Sequence, residues 1–173
     1  MCPNLNLRQF WHVLCIVERK YINHMENTVM RLGAEKDFEV PVIELYKAWV
    51  TPEDLKQWWH PSDNKLVTAE LDVKEGGQFK YEFEGKDGQT SLVITGEYQE
   101  VTVNERLTYS WNWSIPANVV KPSEHELTIL FVANGEGSKI KITQENFLDD
   151  ESINPHQEGW ENALNDLHAY LSK

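Results

Sequence analysis

The stretch Gly159-Trp160-Glu161-Asn162-Ala163-Leu164-Asn165-Asp166-Leu167-His168-Ala169-Tyr170-Leu171 sets its apolar residues at spacings of three and four. Trp160, Ala163, Leu164, Leu167, Tyr170 and Leu171 therefore form one stripe of an α-helix. Glu161, Asn162, Asn165, Asp166 and His168 occupy the opposite face. Asn154 is expected to cap this helix, with Pro155 at its first position. A helix with a single apolar stripe cannot stand alone in water, so the rest of the chain must supply a hydrophobic surface.

The residues upstream supply it as strands. In Gln78 to Glu84, Phe79, Tyr81 and Phe83 alternate with Lys80, Glu82 and Glu84, the pattern of a half-buried strand. Leu107, Tyr109, Trp111, Trp113 and Ile115 alternate in the same way with Thr108, Ser110, Asn112 and Ser114. Leu66 to Lys74 puts Val67, Ala69, Leu71 and Val73 on one face. Leu92 to Val103 reads as a long strand, in which Gly96 predicts a bulge or bend. Leu127 to Ala133 and Lys139 to Phe147 form a last hairpin around Asn134-Gly135-Glu136-Gly137. Turns are expected at Gly76-Gly77, Lys86-Asp87-Gly88 and Asn104-Glu105, and a loop from Pro116 to Pro122.

Ahead of these strands, about Val29 to Phe38 reads as a first strand weakened by Gly33 and Ala34 and ended by Pro41. Val42, Leu45, Tyr46 and Trp49 follow helical spacing. Thr51-Pro52-Glu53-Asp54 starts a second short helix, with Thr as N-cap, Pro at the first position and acids in the positive first turn. That helix should run from Leu55 to Trp59 and stop at Pro61. The resulting fold class is α+β. A curved antiparallel sheet of six to seven strands wraps a long C-terminal helix, with two short helices after strand 1. Bulky aromatics on the concave face predict a cavity between sheet and helix.

Composition bounds the function. The chain has 173 residues, one domain's worth, with 7 Trp, 6 Tyr and 6 Phe to fill a core. A net charge of -12 argues against nucleic acid or an anionic membrane surface as the main partner. No run reaches the ~18 apolar residues of a membrane span. The two cysteines, Cys2 and Cys15, make a poor disulfide framework and no zinc motif, which fits a reducing, cytoplasmic setting. Residues 1–24 stand apart from a domain covering 25–173. Phe10, Leu14, Val17 and Tyr21 fall at helical spacing, and Arg8, Arg19 and Lys20 against Glu18 leave the remainder near -14. This segment is either an upstream extension before a true start at Met25 or an added docking helix. It lacks the basic start and clean apolar core of a signal peptide.

The ordered pieces resemble a known family. They are Val40-Pro41 with Leu45-Tyr46-Lys47-Ala48-Trp49; Thr51-Pro52-Glu53-Asp54-Leu55-Lys56-Gln57-Trp58-Trp59-His60-Pro61; Gly76-Gly77-Gln78-Phe79; Gly96-Glu97-Tyr98; Glu105-Arg106-Leu107-Thr108-Tyr109-Ser110-Trp111; and Gly159-Trp160-Glu161-Asn162-Ala163-Leu164. Their order and spacing over about residues 28–173 resemble the homologues of the activator of the heat-shock-protein 90 ATPase, of its C-terminal-domain type. That family belongs to the SRPBCC, or START-like, superfamily. The resemblance implies a helix-grip fold and an apolar cavity. The family usually has Gly where this chain has His60. Residues 1–24 have no family counterpart. The extra N-terminal domain of the eukaryotic chaperone activators is also missing, so a chaperone partner is not the first expectation.

Chemistry is sparse. His60 beside Trp59 reads as a solvent-edge or packed histidine before it reads as an acid or base. Glu124 and His125 are neighbours that point apart on a strand. His156 and His168 are twelve residues apart, too far for ligands on one helical face. Asp149-Asp150-Glu151 lacks the ligand alternation of a calcium loop and reads as a solvated loop favouring the next helix. Ser91, Ser110 and Ser114 have no nucleophile-elbow context. No catalytic residue, metal ligand or cofactor is assigned.

The aromatic set carries the functional expectation. Most of Phe79, Tyr81, Phe83, Tyr109, Trp111, Trp113, Phe131 and Trp160 should be core. Several on one concave face, joined by Leu164 and Leu167 and with Trp58 and Trp59 near the entrance, also make a small-ligand pocket. The leading reading is a non-catalytic module binding an apolar small molecule, as monomer or homodimer. The resemblance to START-like proteins, some of which are cyclases or dehydratases, implies as alternatives such an enzyme on a polyketide-like substrate, using His60, Tyr81 or Tyr109, and a co-chaperone-like protein binder.

Overall fold

A computed structural model describes residues 30–61, 64–114, 125–147 and 150–173. Residues 1–24, Val29, Ile115, the loop 116–122, Glu124 and Asp149 lie outside the described residues. The alternating segments form seven strands: β1 (Met30–Phe38), β2 (Lys65–Leu71), β3 (Gln78–Glu84), β4 (Thr90–Thr102), β5 (Arg106–Ser114), β6 (His125–Asn134) and β7 (Gly137–Phe147). They pair antiparallel in the order β1-β7-β6-β5-β4-β3-β2. The helices are α1 (Val42–Val50), α2 (Pro52–Trp58) and α3 (Asp150–Leu171).

The inward register of the strands supplies one continuous core. Phe79, Tyr81 and Phe83 of β3, Leu107, Tyr109 and Trp111 of β5, Leu127, Ile129 and Phe131 of β6, and Ile140 and Ile142 of β7 are all buried. Each such side chain contributes about 1.5–3 kcal/mol by leaving water. α3 lays Trp160, Ala163, Leu164 and Leu167 against them, with Leu167 fully buried. Tyr170 Oη donates to Asp54 Oδ1 (2.8 Å), tying the last turns of α3 to α2. Lys36 Nζ donates to Asn165 Oδ1 (2.9 Å), tying α3 to β1.

Six local expectations are corrected. β2 has a register shift between Leu66 and Thr68, which brings Leu66 into the core beside Ala69. The simple alternation through Val67 therefore breaks, because a bulge moves each later side chain to the other face. β4 is irregular between Tyr98 and Glu100, and between Thr90 and Leu92, rather than at Gly96. Gly96 is required for close approach instead: a Cβ there would overlap the Ser110 carbonyl oxygen and the Phe79 ring. Thr51 stands at the N-cap of α2 without a side-chain cap bond, and only its carbonyl serves, accepting from Leu55 N (3.0 Å). α2 ends at Trp58, one residue early. α3 begins at Asp150, so Asn154 and Pro155 lie within it and are not its start. His168 is half-buried, its ring 5.8 Å from Phe38, and is not part of a fully solvated face.

Candidate functional site

The space between sheet and helix is divided by Trp59. This residue follows α2, and its indole stacks on Trp111 (centroids 6.0 Å apart) and on Trp160 (6.5 Å). On the α1 side, Trp49, Leu55, Trp58, Tyr81, Tyr109 and Trp111 close around a void of only about 10 Å³. That volume holds at most one water, so this end is packed core. On the other side lies a cleft of about 350 Å³. Its walls are Trp59, Trp111, Trp113, Trp160, Leu92 and Ile94, with Pro61, Asn64, Ser91, His156 and Gly159 around them.

The expected pocket residues separate accordingly. Trp59, Trp111, Trp113 and Trp160 come together in the cleft. Trp58, Phe79, Tyr81, Phe83, Tyr109, Phe131, Leu164 and Leu167 are buried in the core and do not line it. Trp58 is not an entrance residue: its Nε1 donates to the Ala48 carbonyl (2.9 Å), joining α2 to α1.

The three groups nominated for enzyme chemistry also lie away from the cleft. His60 is exposed, with Nδ1 donating to the Trp58 carbonyl (3.0 Å). Tyr109 Oη accepts from Trp49 Nε1 (3.4 Å), and Tyr81 is hydrogen-bonded to Tyr98. Burial pushes both phenols well above their ordinary value, so neither exchanges a proton near neutrality. Dry packing and solvent exposure thus remove the residues on which the cyclase-like reading stood.

The polar end of the cleft was missed from sequence. Gln144 is fully buried on β7. Its Oε1 accepts from Trp160 Nε1 (2.8 Å), and its Nε2 donates to His156 Nδ1 (3.1 Å). The His156 ring lies 5.1 Å from that of His125 and 5.7 Å from that of Trp113. His125 Nδ1 donates to the Glu145 carbonyl (3.1 Å). Burial, and then the neighbouring His125, lower the His156 pKa to about 4, so the ring is neutral at pH 7. The two histidines are 31 positions apart, on β6 and α3, and no local pattern links them. The available signals were Gln144, a polar side chain in the inward register after Ile140 and Ile142, and His125, in the inward register before Leu127 and Ile129. Trp113 Nε1 is buried without a hydrogen-bond partner.

A second groove, of about 690 Å³, lies on the outer face of β2 to β5. Glu70, Asp72, Lys80, Glu97, Ser110 and Asn112 make it polar, and Lys80 is already paired with Glu82. Among the described residues, no group of three or more His, Cys, Asp or Glu could hold a metal ion. No helix of the described residues is long and apolar enough to cross a membrane.

A seven-stranded antiparallel sheet gripping a long C-terminal helix, with two short helices after the first strand, is the helix-grip class of α+β fold. Residues 39–172 match the family described as Activator of Hsp90 ATPase homolog 1-like protein, and the chain belongs to that family. The fold is shared with solved structures from several bacteria. An AHSA1-like protein from Aeromonas hydrophila has 21% identity and a TM-score of 0.69, covering 83% of this chain and 92% of that one. A Chromobacterium violaceum protein has 24% identity and a TM-score of 0.67, covering 81% and 96%. A Rhodobacter sphaeroides protein has 18% identity and a TM-score of 0.71, covering 82% and 92%. Among curated proteins, none matches the sequence.

Proposed function

We propose that this protein is a cytoplasmic, non-catalytic binding domain that takes a small, flat, apolar molecule in the cleft between β4, β5 and α3. One observation carries the reading: the helix-grip interior is sealed on one side of Trp59 and open on the other. The open side has a volume of about 350 Å³, within the range of small-molecule sites, and four tryptophans on its walls. Indole faces favour offset stacking with planar ligands. The neutral His156 in the wall, held from behind by the buried Gln144, adds a fixed polar point, the remaining element of such a site. The outer groove has Phe79 as its one aromatic lining residue among charged and polar neighbours, and does not compete for the same chemistry.

The test is a thermal-shift and tryptophan-fluorescence screen with fatty acids, sterols and flavonoid-like compounds. A ligand at a hundred times its Kd should stabilise the fold by about 2.7 kcal/mol. That corresponds to roughly 5–10 °C for a chain of this size. The same screen on Gly159→Phe, which puts a ring at the mouth of the cleft, should lose about half of the shift or more. No hit across the library, or equal shifts in both proteins, overturns the reading.

A further inference from the structure

The chain Trp160–Gln144–His156 has a proton sense that follows from donor chemistry alone. An indole N–H can only donate. Gln144 must therefore present its oxygen to Trp160 (2.8 Å) and its amide nitrogen to His156 Nδ1 (3.1 Å). An amide nitrogen also only donates, so Nδ1 accepts and carries no proton. The proton of the neutral ring then sits on Nε2. His125 is held in the opposite sense, because the Glu145 carbonyl at 3.1 Å can only accept from its Nδ1.

We infer that Gln144 is a positioning residue that locks His156 as the neutral, Nε2-protonated tautomer. This gives the cleft a hydrogen-bond donor edge that selects planar apolar molecules bearing an acceptor oxygen, such as an aryl ketone, over pure hydrocarbons. The inference deepens the binding reading above and rests on it. Two further observations agree. His156 is part of the cleft wall. Trp113, 5.7 Å away ring to ring, adds a flat apolar face to the same wall. An N–H can be shared between two acceptors, so a ligand oxygen adds to the contacts the His156 ring already makes. The sense of the lock is fixed because Gln144 is fully buried and cannot turn its amide without breaking the Trp160 bond.

The experiment has two readouts on the full chain. A long-range proton–nitrogen correlation spectrum at pH 7 should show His156 protonated on Nε2. In Gln144→Glu, whose carboxylate can only accept, the proton should move to Nδ1. In wild type alone, an Nδ1-protonated His156 overturns the inference, whether or not the variant folds. The second readout is titration with methyl naphthyl ketone and ethylnaphthalene, which match in shape and differ in the carbonyl. The ketone should bind roughly tenfold tighter to wild type, and His156→Phe should bring the two affinities together. Equal binding of both probes to wild type overturns the inference and leaves the cleft reading standing. Binding of neither overturns the cleft reading, and the ligand half of the inference with it.

Discussion

Replacing Gly159 separates the helix from the cleft. Gly159 is the tenth residue of the 22-residue α3 and lies at the mouth of the cleft. A Cβ built there meets no atom within 4 Å. Glycine in a helix interior costs about 0.8–1.0 kcal/mol relative to alanine. With no clash to offset that gain, Gly159→Ala should stabilise the protein by about 1 kcal/mol and raise Tm by roughly 2–4 °C. Gly159→Phe should recover about half of that gain, since phenylalanine has a weaker helix propensity than alanine. Its ring should also occupy the space between Trp113 and Trp160, weakening any cleft ligand by at least about tenfold. Urea unfolding followed by circular dichroism measures the first effect and ligand titration the second. A loss of stability in Gly159→Ala at unchanged m-value would refute the open geometry around this position. A stable Gly159→Phe that binds as wild type would refute the location of the site.

The other predictions concern the core and the polar chain. Gly96→Ala should destabilise by about 3 kcal/mol or more in denaturant unfolding, because its Cβ would overlap backbone at Ser110 as well as the Phe79 ring; a cost under about 1 kcal/mol would contradict the close packing of β3, β4 and β5. His156 has a folded pKa of about 4, below its ordinary 6.5, so the unfolded chain binds more protons between these values. Stability should therefore fall as pH drops from about 6.5 to about 4 and gain no further His156 contribution below that. Discounted for partial exposure, the loss is about 1–2 kcal/mol, and it should be absent in His156→Phe. Trp58→Phe removes the bond to the Ala48 carbonyl as well as indole volume, and should cost about 2–3 kcal/mol by the same assay. Tyr170→Phe removes one hydrogen bond to Asp54 near the surface and should cost only about 0.5–1 kcal/mol.

The sequence by itself determined the architecture, because two periods run through it without ambiguity. Phe79, Tyr81 and Phe83 repeat every second residue, while Trp160, Ala163, Leu164 and Leu167 repeat every third or fourth, and both sets are buried. One apolar sheet face and one apolar helix stripe leave a single efficient way to exclude water. It also determined the hairpins and the two short helices, where turn residues and a proline at the first helical position act locally.

Other features were decided only in three dimensions. The register shift at Leu66 depends on what β3 offers across the strand pair, and α3 reaches back to Asp150 despite Pro155 within it. The division of the interior depends on where the ring of Trp59 lands, since its stacking on Trp111 and Trp160 fills one side and leaves the other open. Adjacent tryptophans look alike in sequence, yet Trp58 became a core strut and Trp59 a cleft wall. The Trp160–Gln144–His156 chain joins α3 to β7, and His125 approaches it from β6. Hydrogen bonds between distant elements leave no period in a sequence. Their trace was two polar residues, Gln144 and His125, standing where the strand pattern called for apolar ones.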